Sequence, residues 1–137
     1  MSTRRTLLKT SLLAGGVSVL GLGTGIYLHQ RANERQFAHT LAQLLENTER
    51  AEILGHSLLS DSGAFQDVTI TQINDELLRA LDLDRQTVIE IEATLLLERM
   101  HARVEADFRE ENIVIVNGWL LSRTEARLCA LSALSAN

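Results

Sequence analysis

Apolar residues recur at steps of three and four over residues 32–58, the pattern of a helix that buries one face. The apolar positions are Phe37, Leu41, Leu44, Leu45, Ala51, Leu54 and Leu58. Asn33, with Gln36 three residues later, can cap the start of this helix, unless the helix continues directly from the apolar stretch before it. Gly55 either weakens the helix or marks a close crossing with a neighbour. The pattern predicts one long first helix, followed by a turn at residues 60–63.

Two further helices are predicted between residues 69 and 109. Thr69 and Gln72 have the spacing of a capping box, and apolar residues at helical spacing follow them. Asp84 can accept a backbone N–H as the N-cap of a third helix, which runs from Arg85 to about Arg109. The apolar band of this third helix is wide enough to contact two neighbours.

The last segment predicts a β-hairpin that leads into a C-terminal helix. Asn117 and Gly118 separate two apolar runs, which is the strongest short signal for a hairpin turn. Ser122 and Glu125 then have capping-box spacing. A lone hairpin is marginal in water, so it must pack on helices or on a partner. The predicted fold is mainly α: a small helical bundle with a β-hairpin before the C-terminal helix, preceded by an N-terminal signal or membrane-anchor helix.

Composition supports long helices and argues against several classes of function. The 137 residues include no proline, and five of the eight glycines precede residue 26. Residues 32–137 hold nine arginines against eighteen acidic residues, a net charge of −9. An acidic body is a poor binder of nucleic acid, because phosphate neutralisation needs clustered Lys or Arg. Cys129 is the only cysteine, so one chain can form neither an intrachain disulfide nor a thiolate-rich metal site.

Residues 1–31 differ sharply from the acidic remainder. Arg4, Arg5 and Lys9 make a basic start, and residues 10–28 carry no charge. As a helix, this uncharged run reaches ~28 Å at ~1.5 Å per residue, close to the hydrocarbon thickness of a bilayer. Two arginines followed by Leu7, Leu8 and a lysine, directly before such a run, resemble the signal of the bacterial twin-arginine export pathway, which transports folded proteins. The resemblance implies the twin-arginine translocase as a partner and the periplasm as the destination.

The leader lacks a good cleavage site. A signal peptidase needs small residues at alternate positions after the apolar run. The run instead ends in Tyr27 and Leu28, residues that settle at a membrane interface. We therefore expect residues 1–31 to be an uncleaved anchor that crosses the inner membrane through residues 10–28, with residues 32–137 as a small helical domain on the periplasmic side. Cleavage, which would leave a soluble periplasmic protein, and an ordinary single-pass anchor are the alternatives.

Candidate chemistry is sparse. Glu98 and His101 are three residues apart on the third predicted helix, the step that di-iron helical bundles use, and His56 on the first helix could face them. Such bundles need this step twice, so an exposed helix surface is the better interpretation. Cys129 lies among apolar residues with no histidine near it in sequence, which favours a small buried residue over a reactive thiol. The sequence therefore assigns no catalytic residue and no cofactor.

Trp119 is the only tryptophan, and it opens the apolar run Trp119-Leu120-Leu121 directly after the hairpin turn. It either anchors the hairpin to the core or fills a pocket of a partner protein. For the whole run we expect a partner surface at Trp119, Leu120 and Leu121.

The sequence favours a non-catalytic accessory or small subunit that associates with a larger periplasmic protein, an oxidoreductase by preference. This interpretation rests on the lack of a catalytic set, the acidic helical body and the export signal for folded cargo. In layout the chain is similar to the small, twin-arginine-bearing subunits of periplasmic dehydrogenase complexes, such as those of membrane-bound sugar dehydrogenases. The alternatives are a small periplasmic metal or redox protein and a stand-alone binding or scaffold module.

Overall fold

The structure, a computed structural model, describes residues 3–4, 7–8, 30–60 and 63–136. These residues form six helices and three short strands. The helices are α1 (Gln30–Ala42), α2 (Thr48–Leu59), α3 (Ile70–Leu81), α4 (Arg85–Glu90), α5 (Ala93–Arg109) and α6 (Arg123–Ser135). The strands are β1 (Thr3–Arg4), β2 (Ile113–Val116) and β3 (Trp119–Ser122). The prediction of a mainly helical fold with a hairpin before the last of these helices is confirmed.

The predicted membrane segment, residues 10–28, lies outside the described residues. Within the described ranges, no helix combines the length and the hydropathy that crossing a bilayer requires.

Helix α6 is the centre of the fold. Its start is fixed by the predicted capping box: the Glu125 N–H donates to Ser122 Oγ at 2.9 Å, and the Ser122 N–H donates to Glu125 Oε1 at 3.1 Å. Nine of its thirteen residues are buried, because α1, α2, α3 and α5 all pack against it. A helix that is covered on so many sides is held by tertiary packing rather than by one amphipathic stripe.

Gly55 lies where α2 crosses α6. A Cβ built at residue 55 would be 2.1 Å from the carbonyl oxygen of Cys129 and 2.9 Å from the Cβ of Ala133. Only a residue without a side chain allows the two backbones to approach this closely. Of the two roles predicted for Gly55, the close crossing is the one that the structure adopts.

The long first helix predicted over residues 32–58 is wrong, because the chain forms two helices there. The chain leaves α1 after Ala42, and α2 begins at Thr48 with a new cap, in which Asn47 Oδ1 accepts the Arg50 N–H at 3.0 Å. Asn33 lies within α1 and is not its cap. The break turns Leu44 and Leu45 into the core, where each is about 1% exposed.

The predicted third helix, residues 85–109, is also divided. Asp84 caps α4 as expected, with its Oδ1 accepting the Thr87 N–H at 2.7 Å. The backbone then becomes extended at Ile91 and Glu92, and α5 starts at Ala93 without a side-chain cap. No glycine or proline marks this break. By contrast, the second helix has the predicted start, because both hydrogen bonds of the Thr69–Gln72 capping box are present.

The hairpin forms in the predicted register. Val116 pairs with Trp119 and Ile113 with Ser122 across an antiparallel ladder, and the turn residues Asn117 and Gly118 have φ of 50° and 80°. The third strand, β1, was not predicted. It pairs in parallel with β3, so the sheet order is β1-β3-β2.

Candidate functional site

Alternation along β3 divides the predicted partner surface between two faces of the sheet. Successive strand residues point to opposite faces, so Trp119, Leu120 and Leu121 cannot present one continuous patch. Leu121 is fully buried and belongs to the core, which removes it from the predicted surface. Trp119 points toward the same side as Leu121 and is half-buried, whereas Leu120 is half-buried on the outer face.

The indole of Trp119 lies under a cation at the edge of α2. The guanidinium carbon of Arg50 is 5.2 Å from the centroid of the Trp119 ring, which is within cation–π range. A cavity of about 450 Å³ opens beside the indole. Its lining comprises Asn47, Glu49, Arg50, Ile53, Leu54, Asn117 and Trp119. Ile53 is 58% exposed at this site, so the indole and an aliphatic side chain share one solvent-facing hollow.

The outer face of the hairpin is a second apolar feature. Ile115 is 64% exposed, and it pairs across the ladder with Leu120. The hairpin tip is held against α2, because the Asn117 side-chain amide donates to Ser57 Oγ at 2.9 Å. Ile53 and Ile115 therefore lie on two elements, α2 and the hairpin, that are fixed to each other. Ile53 and Trp119 line the cavity, whereas Ile115 and Leu120 lie on the opposite, outer face of the hairpin. We refer to these four residues, on the two faces, as the hairpin patch.

Two buried carboxylates lie at the N-terminus of α6, and both are engaged by the fold. Asp107 is 1% exposed. Its Oδ2 accepts the Thr124 N–H at 2.9 Å, and its Oδ1 accepts Arg103 Nε at 3.1 Å. Glu125 completes the capping box described above. Carboxylates at a helix N-terminus satisfy its free N–H groups and complement its dipole, so this pair is structural rather than catalytic.

The weak candidates for metal ligands, His56, Glu98 and His101, are not brought together. His56 pairs instead with Glu52 of its own helix, at 3.9 Å on an exposed face. Glu98 is exposed on α5, and His101 is partly buried one turn further along the same helix. Across the described ranges, no three His, Cys, Asp or Glu side chains are grouped so that they could hold a metal ion.

Cys129 is a buried thiol on α6. Burial raises its pKa well above the usual range of a cysteine, and the nearby charge of Glu125 acts in the same direction. A thiol with so high a pKa remains protonated at neutral pH and is a weak nucleophile. Cys129 therefore serves packing at the α2–α6 crossing.

The residues that resemble an export signal are only partly described. Arg4 lies in β1, where its backbone is paired with Leu120. Leu7 and Leu8 are 3% and 1% exposed and belong to the core cluster of the body. Arg5 and Lys9 lie outside the described residues. Sequence reasoning missed this packing, because two leucines beside a basic cluster carry no signal of a distant pairing partner.

Comparisons of this chain with protein families, with curated proteins and with solved structures gave no significant match.

Proposed function

We propose that this protein is a non-catalytic accessory subunit that is exported by the twin-arginine pathway and binds a larger periplasmic protein through the hairpin patch. The observation that carries the proposal is the pair of exposed aliphatic side chains on α2 and β2, Ile53 and Ile115, at 58% and 64% exposure. Single exposed apolar residues are common on proteins. Here, however, Ile53 lines a cavity beside the half-buried Trp119, and Ile115 lies on the hairpin whose tip is held to the same helix.

The chemistry of the patch fits a protein partner. Tryptophan and arginine are the residues that most often anchor protein interfaces, and here Arg50 stacks on Trp119. The cavity beside the indole is large enough to receive a side chain of the partner. An oxidoreductase is the partner class that we favour, because the leader resembles a signal for folded cargo and the layout resembles the small subunits of periplasmic dehydrogenase complexes.

The proposal is tested by recovery of the partner from native membranes. A charge placed at the most exposed residue of the patch, Ile115→Asp, should reduce partner recovery at least about tenfold, because it buries an unpaired carboxylate in the interface. The matched control is Leu95→Asp. Leu95 is also exposed, at 47%. It lies in the first turn of α5, at the opposite end of that helix from the hairpin, which follows the last turn. The control should leave recovery unchanged.

Three results would contradict the proposal. One is that no larger protein co-purifies with the native chain. Another is equal recovery with Ile115→Asp and with the native chain. The third is an equal loss with both variants, since that would indicate a general defect rather than an interface. Metal analysis of the same preparations addresses the alternative of a metal or redox protein, which predicts a stoichiometric metal ion.

A further inference from the structure

Four described residues near the start of the chain, Thr3, Arg4, Leu7 and Leu8, lie against the helical body. Thr3 and Arg4 pair in parallel with Trp119 and Leu120 of β3. Leu8 forms an antiparallel bridge with Leu45, and the Glu46 N–H donates to the Leu7 carbonyl at 2.7 Å. We call Thr3, Arg4, Leu7 and Leu8 the docked residues, and the surface that receives them the β3 groove.

The β3 groove recognises its occupant mainly through backbone atoms and two apolar side chains. The Leu7 N–H donates to Glu125 Oε2 at 3.3 Å in a buried setting, and both leucines are almost completely enclosed. Strand addition to a sheet edge, with pockets for particular side chains, is a general way to bind an extended peptide. The contacts therefore define a ligand class: an extended segment with two adjacent aliphatic residues.

The docked arrangement and a membrane-spanning leader exclude each other. Leu8 lies beside Leu45 of the body. If residues 10–28 cross a bilayer with a hydrocarbon core of about 30 Å, Leu8 and Leu45 lie on opposite sides of it. Insertion of the leader must therefore withdraw the docked residues from the β3 groove.

Exposing the empty β3 groove to water costs free energy for three reasons. Glu125 is 1% exposed, and it would lose the Leu7 N–H as a donor. β3 would lose its parallel neighbour at Trp119 and Leu120, so it would become the edge strand of the sheet. The core leucines behind Leu7 and Leu8 would also be uncovered. Each of these losses is reversed by a new occupant of the same chemistry.

We propose that the β3 groove, once the leader is inserted, binds an extended segment of the partner subunit that carries two adjacent aliphatic residues and pairs in parallel with β3. This inference rests on the proposed function for the existence of the partner. A second copy of the chain cannot supply the segment, because insertion withdraws its own docked residues to the far side of the same membrane.

The test uses the full chain inserted in phosphatidylcholine vesicles with the body outside. The probe is a fluorescent peptide that reproduces residues 2–9, Ser-Thr-Arg-Arg-Thr-Leu-Leu-Lys. We expect saturable binding by anisotropy. The control peptide, with serine at both leucine positions, should bind at least about tenfold more weakly, because two aliphatic side chains are no longer buried. Leu45→Ala should weaken binding of the native peptide, whereas Leu95→Ala should not.

Equal binding of the two peptides, or no binding to the inserted chain, would overturn the proposal. Pairing of inserted chains with one another through this groove, seen as a dimer that the native peptide dissociates, would also overturn it. These outcomes are independent of the co-purification test. Peptide binding without a co-purifying protein would support the groove as a binding site and reject the accessory function. A co-purifying protein without peptide binding would support the accessory function and reject the groove.

Discussion

Replacing Gly55 by alanine is the sharpest test of the packing at the centre of the fold. The added Cβ would lie 2.1 Å from the carbonyl oxygen of Cys129, 2.7 Å from its carbonyl carbon and 2.9 Å from the Cβ of Ala133. None of these atoms is the end of a flexible side chain, since all three are fixed to the α6 backbone. The two helices must therefore separate by more than about 1 Å to restore a normal contact of ~3.5 Å.

Two effects oppose each other in this substitution. Alanine favours the helix over glycine by about 1 kcal/mol. Overpacking of a close-packed core costs about 1–3 kcal/mol, and more when a rigid neighbour cannot yield. Because the neighbour here is backbone, we expect the steric term to win, with a net loss of about 2 kcal/mol or more in the free energy of unfolding. For a domain of this size, that corresponds to a fall in Tm of about 8–16 °C.

Urea and thermal unfolding of the full chain, followed by far-ultraviolet circular dichroism, measure this loss. The matched control is Gly118→Ala at the hairpin turn. Gly118 has a φ of +80°, but a Cβ there would meet nothing within 4 Å, so the control isolates backbone strain at about 1 kcal/mol. Unchanged or increased stability of Gly55→Ala would refute the close crossing, and so would a loss smaller than that of Gly118→Ala.

Three further predictions follow from the caps and the leader. Ser122→Ala should lower the free energy of unfolding by about 1 kcal/mol in urea, because the N-cap acceptor of α6 is lost. The hydrogen bond from the Thr87 N–H lowers the pKa of Asp84 in the folded state. The ionised Asp84 side chain therefore stabilises the folded state fully above the pKa of an unfolded aspartate, and this stabilisation is lost as the pH falls through the lower folded pKa. Between pH 7 and pH 3, the urea midpoint should therefore fall less for Asp84→Asn than for the native chain. Arg4→Lys combined with Arg5→Lys keeps the charge but removes the guanidinium geometry, and cell fractionation should then find the chain retained in the cytoplasm; normal export would contradict the twin-arginine assignment.

The parts of the fold that were predicted correctly are those whose cause lies within a few residues. The capping box of Thr69 and Gln72 joins groups three residues apart, and so does that of Ser122 and Glu125. The hairpin turn at Asn117 depends on the left-handed conformation that its own residues allow. Capping boxes and tight turns can be predicted from the sequence because the interacting groups are only a few residues apart in the chain.

The errors in the fold arise from contacts between distant parts of the chain. The helical period continues through Leu44 and Leu45, but the chain leaves the helix there and both side chains enter the core. The backbone of Leu45 also forms a bridge with Leu8. The helix break at Ile91 could not be predicted locally, because no glycine, proline or side-chain cap is present there. Tertiary packing overrides local propensity at the first of these breaks, at Leu44 and Leu45.

The candidate site could be predicted only in part, because it too depends on contacts between distant parts of the chain. The sequence singled out Trp119 as the unusual residue of the hairpin, and the structure places it half-buried beside a cavity. It placed Leu121 on the same surface, although strand alternation sends Leu120 and Leu121 to opposite faces and the fold buries Leu121. The contribution of Ile53 was missed, because its position beside the indole depends on how α2 meets the hairpin.

The central position of α6 also sets an order of events during synthesis. The helices that enclose it, α1, α2, α3 and α5, all leave the ribosome before it does. Until α6 emerges, the faces of these helices that pack on it are uncovered, and contacts between α1 and α6 span most of the chain. Long-range closure of this kind slows folding and prolongs the exposure of apolar surface. The core of the domain is therefore completed only after translation has passed residue 135.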